Sequence, residues 1–436
     1  MAGIEQDITT HMAGFIAMLD NAFRRFGVAA GLPPRLRAAV QAVPRHRFVH
    51  RFRIDDGPLV NFEDDPARHM PTIYSDKIMR HVDAAGELLA SSNSQPSFVL
   101  FLLHLLDIQP GHRMLEVGSG SGWLAAIAAY LAGPDGAVTG IEIIADLAEQ
   151  SRADLASVGS GTVTIVTGDG AKGHAASAPF DRAMITAATW DLPAVLFEQV
   201  KQDGTVLVPI ELRGGVDCQV TVLRRGGSHF VAERSVVGWF VPLVGSSQSR
   251  AGAHRMLGSL PFWPEISASP TVRCKLPLGA FPGSAAGPVA AQFRAFLGRT
   301  EPAFAVFGQH VTWKQQARMS VESRSWQSVE SFGLCDEATR SVALCTAGEL
   351  LGYGEPATAR RLARAYARWA EFGLPGMAAF DLEVVRKAEI PVAEKNVWVE
   401  PRGDTALVWR LPADSEPWRS LLRDGAGDQP DSQSKP

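Results

Sequence analysis

Gly118, Gly120 and Gly122 in MLEVGSGSGW stand at alternate positions between a short apolar run and a helical one. Glycines placed this way let the backbone turn tightly and let a ligand lie against it, while the helix that follows offers free N–H donors. Spacing narrows the ligand. A dinucleotide site reads GxGxxG and seats pyrophosphate on the helix end. This chain reads GxGxG, with Glu116 two residues before the first glycine. A carboxylate there repels pyrophosphate and attracts a cationic amino group. Glu142, twenty residues past Gly122, ends the next apolar run, where an acid can accept both hydroxyls of a ribose. Asp169, in GDGAKG, follows the third run and is placed to accept from an adenine amino group. Together these acids suit S-adenosylmethionine, whose amino-acid half carries an ammonium group and whose sulfur is a sulfonium. NAD is the weaker alternative. Taken singly, the glycines read as a turn and Glu142 as a surface acid.

Upstream lies a second unusual stretch, LLASSNSQPSFV, with Ser91, Ser92, Asn93 and Ser94 in succession. Four small polar residues ahead of an apolar helix ask what they hold. The plain answer is a helix N-cap, with Ser94 capping a helix opened by Pro96.

The elements that must carry these residues follow from periodicity. Residues 11 to 43 read as two short helices, and Pro96 opens another through Asp107, with Phe98, Leu102, Leu105 and Leu106 at helical spacing. Strands are predicted at 113–117, 137–142, 163–167, 180–186 and 205–210, with helices between them, which argues for a parallel sheet covered on both faces. Two more strands, near CQVTVLRR and FVAERSVV, are expected to close the sheet as a hairpin turned at Gly226-Gly227. The fold class is therefore α/β, Rossmann-like. Residues 1–245 form the predicted catalytic domain and 246–259, rich in Ser, Gly and Ala, a linker. Seven of the ten tryptophans lie beyond it, enough aromatic material for a second core, so 260–423 are assigned to an additional C-terminal α+β domain and 424–436 to a disordered tail. Strands near 303–309 and 342–347, a long helix at 356–373 and late strands NVWVEPR and ALVWRLP belong to it.

Composition narrows the partners. A chain of 436 residues exceeds one ordinary core, and a net charge of −4 gives no reason to expect nucleic acid. Four cysteines without CxxC spacing suggest neither a metal knuckle nor a disulfide framework, and a reducing compartment fits. No metal is expected. The most apolar run, FVLFLLHLLDI, is about half of the ~20 residues a membrane span needs, and no signal-peptide pattern opens the chain. A cytoplasmic location follows as an expectation. His46 and His50 in RHRFVHR read as a solvated basic segment with one packed aromatic rather than a metal pair or a phosphate patch. Arg360, Arg361, Arg364 and Arg368 fall on neighbouring faces of the long helix, where solvent is the ordinary destination and an acidic peptide the alternative.

VPRHRFV, SQPSFV, PGHRMLEVGSGSGW, GDGAKG, APFDRAMITAA, LFEQVKQDGTVLVPI and FVPLVG run in the order and spacing of the protein-L-isoaspartate O-methyltransferase family, which residues 10 to 245 resemble. The resemblance implies the class I S-adenosylmethionine-dependent methyltransferase fold. It also implies methylation of an aspartyl or isoaspartyl carboxylate through an ester that collapses to a succinimide. The family's Gly-Gln-Thr-Ile-Ser motif is replaced here by ASSNS, so Ser94 takes the place of the active-site serine and Ser92 that of the threonine. That departure and the C-terminal addition are similar to a subgroup associated with lanthipeptides and other ribosomal peptides. On this resemblance the expected partner is a modified precursor peptide, with an isoaspartyl-containing damaged protein as the alternative.

Such chemistry needs little base catalysis, because a side-chain carboxyl with a pKa of about 3.9 is already ionised at neutral pH. Orientation in a site closed to water supplies the gain, roughly 7 to 11 kcal/mol. Ser94, with Ser92, is expected to grip the acceptor carboxylate, and Asn93 and Thr186 to face the substrate. Ser119 and Gly170 are expected beside Glu116, Gly118, Gly120, Gly122, Glu142 and Asp169 in holding the donor.

Overall fold

The computed structural model describes residues 2–55, 57–213, 218–238, 240–246, 257–276, 288–307, 331–346, 348–392 and 394–412. Most of the expected linker and all of the expected tail lie outside the described residues.

The chain opens with α1 (Ala2–Arg25) and α2 (Pro34–Ala42), the first beginning well before the helix read from the sequence. Pro34 opens α2 at a position where its missing N–H costs nothing. Strands β1 (Arg51–Arg53) and β2 (Val60–Asn61), helix α3 (Pro66–Ile73) and strands β3 (Met79–Val82) and β4 (Leu88–Asn93) follow. The four strands make a small antiparallel sheet in the order β2-β1-β3-β4, so the serine stretch is the end of a hairpin strand. Helix α4 (Pro96–Leu106) is buried along most of its length.

Next come β5 (Arg113–Val117), α5 (Trp123–Ala132), β6 (Ala137–Glu142), α6 (Ala145–Ser157), β7 (Val163–Thr167) and β8 (Phe180–Ile185). The short α7 (Leu196–Gln199) leads into β9 (Val200–Glu211). Strands β7, β6, β5, β8 and β9 lie side by side in that order and all parallel. From β5 the chain winds outward through β6 and β7, then returns to place β8 on the other side of β5. The order reverses at β5, and ligands in such sheets bind outside the carboxyl ends of the strands at the reversal. The predicted boundaries of β5, β6 and β7 match the observed ones, because each is a short apolar run stopped by glycine or acid. α5 carries small alanines that seat it close to the sheet, with Ala125, Ala128 and Ala132 all fully buried.

β10 (Cys218–Gly226) and β11 (His229–Gly238) form the predicted hairpin. They do not close the sheet. After α8 (Trp263–Ile266), β12 (Val272–Lys275), α9 (Pro288–Thr300), β13 (Phe304–Phe307), β14 (Ser331–Asp336), β15 (Ser341–Thr346), β16 (Glu349–Tyr353) and α10 (Pro356–Glu371), three strands return to the edge of β11. These are β17 (Asp381–Arg386), β18 (Val397–Pro401) and β19 (Thr405–Arg410), and they extend one continuous sheet to ten strands, β18-β19-β17-β11-β10-β9-β8-β5-β6-β7. A second, five-stranded antiparallel sheet, β12-β16-β15-β14-β13, packs under α9 and α10. The expected separate aromatic core is shared instead. Phe293, Phe296, Trp369 and Trp409 pack in the same cluster as Leu115, Val117, Val206 and Val208 of the parallel strands. Among the described residues no helix is long and apolar enough to cross a membrane.

Candidate active site

The glycine turn leaves β5 at its carboxyl end. Gly118 (φ 85°), Gly120 (φ 55°) and Gly122 (φ 83°) all take left-handed conformations, which a Cβ disfavours. Two are also closely packed: a Cβ on Gly118 would stand 2.7 Å from Thr186 Oγ1, and one on Gly122 would strike Ser151 Oγ of α6. Gly120 is open, with nothing nearer than His81 Cε1 at 3.7 Å and Ser91 Oγ at 3.8 Å.

Two carboxylates lie beneath the turn. Glu142, at the end of β6 and 4% exposed, accepts from Gly120 N at 2.8 Å and Ile144 N at 3.0 Å. Burial raises its pKa against the pull of those N–H groups. Glu116 is deeper, 1% exposed on β5, and its Oε2 has no hydrogen-bond partner among the described residues. Burial, and then the neighbouring Glu142, push its pKa well above the usual carboxylate range. An unsatisfied buried carboxylate is costly unless a cation or donor arrives. Glu116 therefore fits an ammonium group, and Glu142 keeps acceptor sites for hydroxyls.

Asp169 caps the turn after β7, accepting from Ala171 N at 3.0 Å and from Ser246 N at 2.9 Å. Partial burial opposes ionisation there, yet the hydrogen bonds from Ser246 and Ala171 hold its pKa below the usual range. It thereby ties FVPLVG to the rim of the site, a contact that distance in sequence concealed. Gly170 packs directly against Val117, which explains why no larger residue stands there. Ser119 is turned toward the sheet: its N–H donates to Ile141 O at 3.2 Å, and its hydroxyl occupies the space left by Gly140.

The serine strand meets the glycine turn. Ser121 Oγ donates to Asn93 Oδ1 at 2.6 Å, both residues buried. Ser94 is the next residue, half-buried like Ser92. The N-cap reading of Ser94 is corrected. Asp76 caps α4 instead, accepting from Ser97 N at 2.9 Å and Ser97 Oγ at 2.7 Å, because the helix begins at Pro96 and its N-cap position is Gln95, one residue past Ser94. Thr186, at the end of β8, donates to Gly118 O at 2.6 Å, so its hydroxyl braces the turn.

Several residues escaped the sequence reading. Arg45 of VPRHRFV is 1% exposed and donates to the carbonyls of Ile73 (2.8 Å), Ser75 (3.2 Å), Lys77 (3.4 Å) and Ser94 (3.3 Å), with Trp123 5.5 Å away. Burial lowers its pKa to about 9. It fixes the backbone under Ser94. His81 of β3, beside Gly120, bonds Ser91 Oγ at 2.9 Å, and burial lowers its pKa to about 4, so it is neutral. Neither has a spacing signal. His46 bonds Tyr74 and His50 bonds Asp154, and no group of metal-ligating residues occurs among the described residues. On α10, Arg361 pairs with Glu301 and Arg368 stacks on Trp398, which leaves only Arg360 and Arg364 exposed in that stripe.

Comparison with known proteins adds to this geometry. Residues 29–248 match the family model described as protein-L-isoaspartate(D-aspartate) O-methyltransferase (PCMT). A protein-L-isoaspartate O-methyltransferase of Methanoregula boonei is 37% identical over 216 residues, spanning 49% of this chain and 85% of the relative. One of Ignicoccus hospitalis is 36% identical over 151 residues, 35% of this chain and 71% of the relative. A solved structure titled protein-L-isoaspartate O-methyltransferase superposes with a TM-score of 0.49 at 17% identity, over 85% of this chain and 96% of that one.

Proposed function

The chain belongs to the protein-L-isoaspartate(D-aspartate) O-methyltransferase family, and from that premise we propose that it methylates the free carboxylate of isoaspartyl residues in proteins or peptides, with S-adenosylmethionine as donor. It is a carboxyl methyltransferase. The observation that carries the reading is the Ser121–Asn93 hydrogen bond, which joins the donor turn to the strand that ends beside Ser94.

When bound, the donor supplies a methyl group on a positively charged sulfur. Glu116 and Glu142 would hold its ammonium and ribose hydroxyls, and Asp169 with the 240–246 segment would border its adenine end. Ile143, 41% exposed directly after Glu142, offers that end an apolar surface. Ser94, with Ser92, donates to one oxygen of the acceptor carboxylate and leaves the other aimed at the methyl carbon. Held there, the donor would supply its methyl group to that oxygen and keep the electron pair of the broken C–S bond as a neutral thioether. No proton moves. Arg45 keeps the Ser94 backbone in place from below, and neutral His81 adds no charge that would hold the carboxylate back.

The sequence reading placed a dedicated ribosomal peptide first and repair of damaged proteins second. The relatives, which bear the isoaspartate name over most of their own length, support the second better, and we reverse the order. The peptide reading stays as the second proposal, favoured by the ASSNS hairpin and by a C-terminal half built into the catalytic sheet. In either case the C-terminal half is the candidate for choosing the polypeptide. Incubation with donor and a short isoaspartyl peptide, beside the same peptide carrying ordinary aspartate, tests the proposal by mass spectrometry. Methylation of the isoaspartyl form alone is the expected result. Methylation of neither, with donor bound in calorimetry, would favour a dedicated acceptor.

A further inference from the structure

The turn between β18 and β19 lies against Trp190 and Asp191, at the far end of the 186–191 segment that leaves β8 beside the glycine turn. Arg402 is the centre of this contact. Its guanidinium carbon stands 3.4 Å from the centroid of a Trp190 ring, and it donates to Trp190 O at 2.6 Å and to Glu211 O at 3.1 and 3.2 Å. Glu400 pairs with it at 3.0 Å, both side chains almost wholly buried, and Glu400 is held in turn by Arg213 and the Trp409 indole. Asp191 closes the contact from the other side, accepting from Asp404 N at 2.6 Å and from Thr405 Oγ1.

The same short segment touches the site at its other end. Thr186 bonds Gly118 O, Ala188 bridges to Pro242 of the FVPLVG segment, and Thr189 bridges to Ile210 of β9. One piece of chain thus runs from the glycine turn to the C-terminal strands. An apolar side chain of equal volume would fill the place of Arg402 without the cost of desolvating a guanidinium. It would not hold two carbonyls and an indole ring in one fixed plane, which is what the planar fork does.

We propose that Arg402 is a positioning residue for acceptor binding: acting through Trp190 and Asp191, the β18–β19 turn fixes the 186–191 segment, so the C-terminal half completes the acceptor side of the site. The kinetic part of this inference rests on the methyltransferase reading, whereas the mechanical part does not. The test compares the full-length wild type with Arg402→Met, Arg402→Lys and Asp191→Ala. Hydrogen exchange at amides 186–191 should quicken about tenfold or more in Arg402→Met and Asp191→Ala, with β5 and β6 unchanged. The KM for a short isoaspartyl peptide should rise about fivefold or more, while kcat and the affinity for S-adenosylhomocysteine stay within about twofold. Arg402→Lys keeps the charge opposite Glu400 but loses the fork and the stack, so it should not restore KM. Exchange as slow as in the wild type, or an unchanged KM, would overturn the proposal. Should Arg402→Met lose its cooperative thermal transition, the partly exposed Asp191 variant decides alone. A wild type that binds no S-adenosylhomocysteine would sink the methyltransferase reading, and the exchange result would still decide the strut.

Discussion

Glu116 and Glu142 lie under one turn, yet only one of them is satisfied by the protein. Glu142 holds two backbone N–H groups, whereas Glu116 keeps an oxygen without a partner and a pKa well above normal. That difference gives a pH dependence with a definite sign. In the free protein Glu116 is neutral below its raised pKa, and a bound ammonium favours its ionised form. Affinity for S-adenosylhomocysteine should therefore fall as pH drops through that raised pKa, and binding should release protons, both readable by calorimetry in buffers of different ionisation enthalpy. Glu116→Gln should flatten the profile. On the acceptor side, Ser94→Ala should leave cofactor affinity unchanged and lower turnover by about tenfold or more, the scale of one lost hydrogen bond to a charged group. Normal turnover would remove Ser94 from the acceptor clamp.

At the scale of elements, helix α4 and the serine strand are held by a residue that belongs to neither. Asp76 caps the helix through Ser97 and also accepts from Gln95 Nε2 at 2.8 Å. Asp76→Ala should cost about 1 to 2 kcal/mol in urea unfolding, as a lost N-cap does, and should also lower turnover because Ser94 is next to Gln95. A stability loss without any change in turnover would mean that the helix end does not hold the serine strand. His50 links the N-terminal region to α6 through Asp154 at 2.9 Å, and that hydrogen bond raises its pKa. A raised folded pKa stabilises fully below the unfolded value of about 6.5, and the contribution disappears as pH rises through the folded value. The melting temperature of wild type should exceed that of His50→Gln at pH about 5.5 and converge with it at alkaline pH. A gap that did not narrow would show that the pair acts by packing alone.

Across the whole molecule, the two halves share the ten-stranded sheet and one hydrophobic cluster beside it. Strand β17 pairs with β11 through Phe230–Val384 and Val231–Glu383, and the buried tryptophans of the C-terminal half pack behind the parallel strands. A chain cut at residue 246 would bare the β11 edge and that apolar face, two features that drive association. Such a fragment should elute as aggregate in size-exclusion chromatography, where the full chain gives a defined peak. A well-behaved monomeric fragment with full activity would contradict the shared core and the Arg402 strut together.

The sequence by itself determined the local features: the short apolar runs of β5 to β7, the alternate glycines that only left-handed backbone explains, and the acids at the ends of β5 and β6. Each of these is set by residues within a few positions of one another, so a linear reading could find them. What depends on distant pairing was decided only by the tertiary structure. Asp76 displaced Ser94 as the cap of α4, Arg45 was found under the serine strand, and Asp169 turned out to hold Ser246. The expectation that β10 and β11 would close the sheet failed for the same reason. A strand's sequence shows which face is buried, but its edge is closed by whichever chain packs there. Here that chain is the C-terminal half, through β17 and through the Arg402 contact with Trp190.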